Sequence, residues 1–512
     1  MTSSLTILDD ESYHSARENS SREQTAANFS VRKEYICPGE SNPISRSVHL
    51  ARLVSFYPPC RKCPYRTETG QLPTRTVQRI QQTERRVRRP SLFTEEGIRG
   101  IYLNEFPRSQ AGKIAAAFAS LILEKTPLVG KTNENQTESQ NDRQLPLVIV
   151  GSDQRSSSPD IAAGVISAIR RMGCDVIDLG PVSQPCLWFH VSHMSAAGGV
   201  MITGAGHDPS WTGLDFFGPD GRPVSKIPDG QATLGIVSNS ELLTLNRLEE
   251  RTVEGVARDS RSSGRYRTLR GHLSYEAGLH QHFHALRPLK IVLGSANPIV
   301  QRSIQRLFDP LPCHIHLIPL PQRARNVNEP DDDDVKRISE AVQNHRAHMG
   351  MVIDEDGLRC GFLDERGEHV SAADLTCLII DSLSHTESNS VVLLDEDLYA
   401  RLQNPRKSKN EIARVDRLSS SNMGAVFHQM EHQNAIFASG RDGRFWFRNP
   451  SPNCDAILCL AYVLASLSRS DNPFSQVISQ AQKRWLMPEF QSSFQIEKSQ
   501  PGNVTKKNGN PR

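Results

Sequence analysis

Residues 145–203, LPLVIVGSDQRSSSPDIAAGVISAIRRMGCDVIDLGPVSQPCLWFHVSHMSAAGGVMIT, alternate short apolar runs with longer segments of helical pattern. Two predicted helices separate three predicted strands, at Leu145–Val150, Asp175–Leu179 and Gly199–Thr203. The first helix begins at Ser158, which caps it, and Pro159 takes the first turn. Strands and helices in this order, joined by short turns, predict a parallel and buried sheet in an α/β domain.

The same alternation extends in both directions, from Leu92 to Ser470. At 512 residues the chain has room for about three domains, and 37% hydrophobic residues indicate that polar segments dilute them. The predicted segments are a disordered tail at 1–33, an extension with Cys, His and a basic linker at 34–90, α/β domains at 91–245, 265–333 and 334–470, and a polar tail at 471–512.

Charge and hydropathy exclude several classes of function. The 60 Lys and Arg residues against 57 Asp and Glu create no overall field for nucleic acid or an anionic membrane. The apolar runs are far shorter than the roughly 20 residues that span a bilayer. The first residues lack the features of a signal peptide, so we expect a cytoplasmic protein with reduced thiols. The six arginines of Arg75–Arg89 have no interleaved aromatic residues, which favours a solvated helix or linker.

Three segments carry side chains suited to chemistry. In VGSDQRSSSP, residues 150–159, a strand leads into a helix N-terminus that could hold an anion, although helix capping explains part of the pattern. The segment GGVMITGAGHDPSWTGLDFF, residues 198–217, holds His207 and Asp208 in a Gly-rich loop, which could also be a plain turn. In MVIDEDGLRCG, residues 351–361, carboxylates follow a strand and could share a hard cation or form a solvated acidic turn.

Together these segments resemble the α-D-phosphohexomutase superfamily, which includes phosphomannomutases and phosphoglucomutases. FTEEGIRG at 93–100 is similar to the opening F-G-T-x-G-I-R-G, and GSDQRSSSP to G-x-D-x-R-x-S-S-P. ITGAGHDPSWTGLDF is similar to I-T-A-S-H-N-P-x-x-x-N-G-x-K-F, and DEDGLR to the metal loop D-G-D-G-D-R. The resemblance implies three tandem α/β domains with mixed sheets and no counterpart of the C-terminal phosphate-binding domain after Ser470. It also implies a role in carbohydrate metabolism, with a phosphorylated hexose or a similar anion as ligand.

The resemblance also implies roles for individual residues. Arg99 would lie in the active site. The sugar-binding loop G-E-x-S-G-H of the superfamily falls on SGRDGR at 439–444. The residues implied to bind substrate or phosphate are Arg155, Ser157, Arg359, Arg441 and Arg444.

The departures from the superfamily fall on residues that do its chemistry. The position of the phosphorylated Ser is Gly206, which has no atom that could accept a phosphoryl group. The third Asp of the metal loop is Leu358, which leaves Asp354 and Asp356 as a weak Mg²⁺ site, and the Lys of N-G-x-K-F is Asp215. These changes predict an impaired or inactive mutase. The alternative is an active mutase that uses His207 or Asp208 as nucleophile.

The extension before residue 90 has a separate pattern. Cys37, His49, Cys60 and Cys63 give C-x11-H-x10-C-x2-C, a set of ligands that structural Zn²⁺ accepts. An iron–sulfur cluster and reduced thiols are the open alternatives. A third hypothesis for the whole chain is therefore a zinc-dependent interaction or scaffold protein that recruits a partner through residues 34–90.

Overall fold

The computed structural model describes residues 35–82, 91–125, 145–226, 243–257, 263–384, 390–402, 414–440, 442–449 and 451–487. The chain divides into two compact units, at Met1–Ile80 and Gln81–Arg512. The tail predicted at 1–33 lies outside the described residues, as does most of the basic stretch before residue 90.

The first unit is a small module of strands and helices: β1 (Tyr35–Ile36), β2 (Pro43–Ile44), α1 (Arg46–Val54) and α2 (Thr74–Gln82). The two strands pair antiparallel. The hydroxyl of Ser45 accepts a hydrogen bond from the N–H of Val48 and caps α1, as small polar residues do at helix starts. Leu53, Cys60 and Ile80 form a small apolar cluster.

The second unit begins with a six-stranded mixed sheet. Its strands are β3 (Ile98–Ile101), β4 (Leu147–Ser152), β5 (Asp175–Pro181), β6 (Gly198–Ile202), β7 (Trp211–Phe217) and β8 (Tyr266–Thr268). The order is β3-β7-β6-β4-β5-β8. The strands β6, β4, β5 and β8 run parallel, and β7 and β3 run antiparallel to their neighbours. The helices of this part are α3 (Arg108–Lys125), α4 (Ser158–Arg171), α5 (Gln184–His193), α6 (Leu245–Glu254) and α7 (Gly271–His280).

A second sheet has five strands: β9 (Lys290–Ser295), β10 (His314–Pro319), β11 (Met349–Ile353), β12 (Cys360–Leu363) and β13 (His369–Val370). Their order is β10-β9-β11-β12-β13. The first three strands are parallel, and the last two are antiparallel. Three helices accompany this sheet: α8 (Pro298–Phe308), α9 (Asp333–His345) and α10 (Ala372–Ser384).

The third sheet also has five strands: β14 (Val391–Leu394), β15 (Arg414–Arg417), β16 (Ala435–Ser439), β17 (Phe445–Arg448) and β18 (Pro452–Cys454). It follows the order β15-β14-β16-β17-β18, with three parallel strands and then two antiparallel strands. Its helices are α11 (Glu396–Arg401), α12 (Met423–His432), α13 (Ala456–Ser468) and α14 (Phe474–Trp485). The predicted α/β fold with three tandem mixed-sheet domains is confirmed.

One strand order recurs in all three sheets. The parallel sets β5-β4-β6, β10-β9-β11 and β15-β14-β16 each continue into an antiparallel strand, at β7, β12 and β17. The turn between the third parallel strand and that antiparallel strand is therefore the same topological position three times over. A continuous apolar core joins the sheets, and it includes Ile149 and Met201 of the first, Met351 of the second and Phe437 of the third.

The grouping of strands differs from the predicted domain boundaries in two places. β11 pairs with β9, with Met349 opposite Ile291, so the boundary predicted between 333 and 334 falls inside one sheet. β8 pairs with β5 in the first sheet, although the boundary at 265 assigned it to the second domain. Both differences arise because strand pairing depends on contacts between distant residues, whereas the predicted boundaries depend on local composition.

The polar tail predicted at 471–512 also needs correction. Residues 474–485 form α14, which packs on α10 and α13. Its buried side chains are Phe474, Ile478, Ala481 and Trp485, whose spacing places them on one face of the helix. The average composition of the segment is polar because the opposite face is exposed to solvent. Residues after 487 lie outside the described part of the chain.

Candidate functional site

Three loops occupy the recurring position after the third parallel strand of each sheet. We name them the glycine loop (Thr203–Ser210), the acidic loop (Asp354–Arg359) and the third loop (440–444). Each has a glycine four residues beyond the strand end, Gly206, Gly357 and Gly443, with φ of +77°, +82° and +78°. Positive φ is a conformation that glycine adopts readily and other residues resist. The three loops thus share a glycine with positive φ at the same position, although their sequences differ.

The acidic loop contacts both of the others. Arg359 forms a backbone bridge with Arg444 of the third loop. The N–H of Cys360, directly after the acidic loop, donates to the carbonyl of Gly443 at 2.9 Å. On the other side, the guanidinium of Arg155 contacts the acidic loop and the glycine loop together. The three segments that the sequence predicts to carry the chemistry therefore lie next to one another.

Arg155 is almost completely buried, with 1% of its side chain exposed. Its Nη2 donates to both carboxylate oxygens of Glu355, at 2.7 and 2.6 Å. The same Nη2 donates to the backbone carbonyl of His207 at 2.9 Å. The other terminal nitrogen, Nη1, donates to the carbonyls of Asp208 at 2.6 Å and Trp211 at 3.3 Å. The predicted role of Arg155 as a phosphate ligand would require it to leave these partners.

Asp153 holds the turn between β4 and α4 against the glycine loop. Its carboxylate accepts hydrogen bonds from the N–H of Arg155 at 3.1 Å and of Gly204 at 3.0 Å, and from the hydroxyl of Ser158. The neighbouring Ser157, predicted to bind phosphate, is buried, and its hydroxyl has no hydrogen-bond partner among the described residues. The turn therefore fixes the start of the site rather than presenting a free anion cradle.

The glycine loop carries the predicted catalytic positions. At Gly206, an added Cβ would meet no atom within 4 Å, so the position is spatially open. The ring of His207 stacks on Trp211 at 4.3 Å between centroids, and its Nδ1 lies 3.2 Å from the carbonyl oxygen of Ala205. His207 and Asp208 are both partly exposed. The loop holds no hydroxyl or thiol at the Gly206 position.

Arg99 is paired with Asp215. Its two terminal nitrogens donate to the two carboxylate oxygens, at 2.5 and 2.9 Å. Burial raises the pKa of Asp215, and Arg99 opposes that rise. The residue that replaces the Lys of the N-G-x-K-F motif thus contacts the Arg that was predicted to lie in the active site.

The acidic loop presents its carboxylates to arginines. The Asp354 carboxylate lies 3.7 Å from both Arg325 and Arg359, and Asp356 lies 3.6 Å from Arg359. Burial, together with the neighbouring Asp356, raises the pKa of Asp354 to about 7. Arg325 is a contact that the sequence patterns did not indicate.

These residues do not fit the predicted Mg²⁺ site. Leu358 is buried at the position of the third carboxylate, and the charges of Asp354 and Asp356 already face guanidinium groups. Throughout the described residues, no group of three or more His, Cys, Asp or Glu side chains is arranged to hold a metal ion.

The third loop is held by a residue from the first domain. Arg444 donates to both carboxylate oxygens of Glu96, at 2.8 and 2.6 Å. Although burial opposes ionisation, Arg444 holds the pKa of Glu96 below its usual value. Glu96 was missed by sequence reasoning, since it stands 348 residues before its partner. Arg441 lies outside the described residues.

The predicted zinc ligands lie in the first unit. Cys37, Cys60 and Cys63 are buried free cysteines, but they and His49 do not form a metal-binding group in this structure. The His49 ring stacks on Tyr35 at 4.3 Å, and its Nε2 lies 3.2 Å from the carbonyl oxygen of Glu68. Cys37 accepts a hydrogen bond from Arg52 at 3.1 Å. The zinc prediction is not supported, since these side chains form no metal-binding group and two of them, His49 and Cys37, contact other partners.

Comparison with known proteins places this geometry in a family. Residues 90–232 match the family phosphoglucomutase/phosphomannomutase, alpha/beta/alpha domain I. A phosphoglucomutase/phosphomannomutase of Thermococcus kodakarensis is 23% identical over 81% of this chain and 85% of its own length. Residues 90–232 belong to this family, and the chain is similar to the phosphohexomutases over most of its length.

Other superfamily members agree with this placement. A phosphoglucosamine mutase of Nitratiruptor is 24% identical over 76% of this chain and 82% of its own length. The crystal structure of a phosphoglucomutase/phosphomannomutase family protein from Burkholderia thailandensis superposes with a TM-score of 0.61 and 20% identity. It covers 75% of this chain and 78% of that protein, which shows the superfamily fold. None of the described helices is long and apolar enough to cross a membrane.

Proposed function

We propose that this protein is a phosphohexose-mutase relative of sugar-phosphate metabolism in which phosphoryl transfer is impaired. The observation that carries the proposal is Gly206. Transfer through an enzyme intermediate needs a side-chain oxygen, nitrogen or sulfur to carry the phosphoryl group. Gly206 and the two residues before it, Gly204 and Ala205, offer none.

The pairing of the arginines supports the same proposal. Arginines bind phosphate strongly when their donors are free to make charge-assisted, bidentate contacts. Here Arg99 is bonded to Asp215, Arg155 to Glu355 and Arg444 to Glu96. A phosphorylated sugar must compete with a carboxylate at each of these positions, so we expect weak binding of phosphorylated ligands.

Turnover assays with hexose phosphates test the proposal. The full chain would be incubated with glucose 1-phosphate, mannose 1-phosphate or glucosamine 1-phosphate, together with Mg²⁺ and glucose 1,6-bisphosphate, and conversion followed by phosphorus NMR. The expected result is no conversion above the rate without protein. Conversion within the usual enzyme range of about 1–10³ s⁻¹ would overturn the proposal.

A second candidate is an active mutase with His207 or Asp208 as nucleophile. The favouring observation is that both side chains are partly exposed and adjoin the open Gly206 position. Mass spectrometry after incubation with glucose 1,6-bisphosphate distinguishes the two candidates. A phosphorylated peptide that disappears in His207→Ala or Asp208→Ala supports the active mutase, and an unlabelled chain supports impairment.

Recruitment of a protein partner through residues 34–90 stays a prediction. Among the described residues of the first unit, three large apolar side chains are exposed, Ile36, Val48 and Val54. Exposed apolar side chains are compatible with a contact surface, although single ones are common on monomers. Loss of a stoichiometric complex in Val48→Ser, with the fold preserved, is the result that would support this role.

A further inference from the structure

The hydrogen bonds of Arg155 reach two of the three loops at once. Its donors meet backbone carbonyls of His207, Asp208 and Trp211 on one side and the carboxylate of Glu355 on the other. Its Nε also lies 3.3 Å from Asp153. A guanidinium has five N–H donors in a fixed fork, and this surrounding gives them a full set of oxygen acceptors.

The acceptors around Arg155 are the kind that a divalent cation prefers. Carbonyl and carboxylate oxygens are the usual protein ligands of Mg²⁺ and related hard cations. In this chain these oxygen atoms surround the guanidinium of Arg155, whose side chain is 1% exposed. The positive charge is covalently attached to the chain and cannot be exchanged with solvent.

The acidic loop keeps three carboxylates, but in a different arrangement from D-G-D-G-D-R. Leu358 stands where the third Asp would be, and Glu355 stands where the first Gly would be. The added carboxylate, Glu355, is the one that faces Arg155, at 2.6 Å. The chain has therefore moved one negative charge three positions earlier, to the side of the loop that meets the guanidinium.

The other carboxylates of the loop are also balanced. Asp354 faces Arg325 and Arg359, and Asp356 faces Arg359. The carbonyl oxygen of Glu355 accepts a hydrogen bond from Asn297 at 2.7 Å, which fixes the loop backbone. A divalent cation entering the loop would be repelled by these guanidinium groups, of which that of Arg325 belongs to a fully buried side chain.

We propose that the buried ion pair of Arg155 with Glu355 takes the place of a divalent metal in this site, so that the two loops assemble without one. Arg155 acts as a positioning residue, because it holds the glycine loop against the acidic loop through Glu355. The proposal stands whether or not phosphoryl transfer is impaired, since it concerns cation binding and loop assembly rather than turnover.

Manganese binding to the full wild-type chain is the first test. Mn²⁺ would be titrated and its free fraction measured by electron paramagnetic resonance, with Mg²⁺ as competitor. The expected result is no saturable binding, and an unfolding temperature that differs by less than about 1 °C between EDTA and Mg²⁺. Saturable binding of one Mn²⁺ per chain that is lost in Asp354→Asn would overturn the proposal.

The second test removes the guanidinium that is paired with Glu355. Arg155→Met keeps a long side chain but leaves the oxygen atoms without their positive partner. We expect this variant to bind Mn²⁺ at least about tenfold more tightly than wild type, and added Mn²⁺ to raise its unfolding temperature. A folded Arg155→Met that binds Mn²⁺ no better than wild type would count against the proposal.

A second variant keeps the test decisive if Arg155→Met fails to fold. Glu355→Gly combined with Leu358→Asp moves the carboxylate back to its position in D-G-D-G-D-R, and we expect it to gain Mn²⁺ binding. Failure of this double variant to gain any binding would overturn the proposal by itself. The matched control is Lys336→Met, which breaks an ion pair with Asp331 in which both side chains are more than half exposed, and it is expected to leave Mn²⁺ binding unchanged.

Discussion

The glycine loop and the acidic loop occupy the same position in two sheets, yet they differ in how they depart from the superfamily patterns. Both follow the third parallel strand, and both carry a glycine with positive φ four residues later. The glycine loop has lost a side chain, at Gly206. The acidic loop has gained a charged one, at Glu355, and an apolar one, at Leu358.

The two departures have different structural consequences. At Gly206 the missing side chain leaves open space, and no other residue has moved in to use it. At Glu355 the added carboxylate is bonded to Arg155, whose remaining donors hold the glycine loop. A lost side chain can thus remain a local change, whereas a gained buried charge requires a partner from elsewhere in the fold.

The largest effect is expected from breaking the Arg155–Glu355 pair. Arg155→Met leaves the buried carboxylate of Glu355 without its partner, which should lower the free energy of unfolding by about 3–5 kcal/mol. Urea denaturation in the absence of divalent cations measures this loss. Lys336→Met, which breaks a pair with Asp331 in which both side chains are more than half exposed, should cost less than about 1 kcal/mol. Equal losses in the two variants would show that burial does not distinguish these pairs.

A smaller loss is expected at the third loop. Arg444→Met removes the partner of Glu96, but 26% of the Glu96 side chain is exposed and can be hydrated. The free energy of unfolding should fall by about 1–3 kcal/mol. Comparison with Arg155→Met under the same conditions is the check. A loss at Arg444 larger than that at Arg155 would contradict the ranking by burial.

The glycines of the loops should differ by a still smaller amount. Alanine at Gly206 should lower the free energy of unfolding by roughly 1–2 kcal/mol through its left-handed backbone alone, because its Cβ meets no atom within 4 Å. Alanine at Gly443 has the same backbone strain and also brings its Cβ to 2.9 Å from the Asn328 amide. Chemical denaturation should therefore find Gly443→Ala less stable than Gly206→Ala. The reverse order would mean that the loops do not share one conformation.

The smallest effect concerns ligand binding rather than stability. Asp215→Asn removes the negative charge beside Arg99 and should free part of that positive charge for an anion. We expect the affinity for inorganic phosphate to rise about three- to tenfold, which corresponds to ~1 kcal/mol. Isothermal titration calorimetry measures it, with Asp416→Asn, whose partner Arg414 is exposed, as control. No increase in affinity would show that pairing with Asp215 is not what limits Arg99.

Much of the candidate site could be predicted from local sequence. The strand–loop–helix pattern around residues 150–159 and the Gly-rich and acidic turns after apolar runs placed all three segments at strand ends. The absence of a nucleophile at Gly206 required only the residue type. The pairings could not be predicted, because Arg99–Asp215, Arg155–Glu355 and Arg444–Glu96 join residues 116, 200 and 348 positions apart.

The sequence by itself determined the α/β class, the positions of the loops and the glycine at position 206, because strands, turns and side-chain chemistry depend on neighbouring residues. The tertiary structure alone decided which strands share a sheet, that α14 belongs to the core, and which carboxylate meets which arginine. Those outcomes depend on packing between distant segments, and a buried charge finds its partner only when the sheets are assembled. Predicted phosphate ligands such as Arg155 are thereby turned into links between loops.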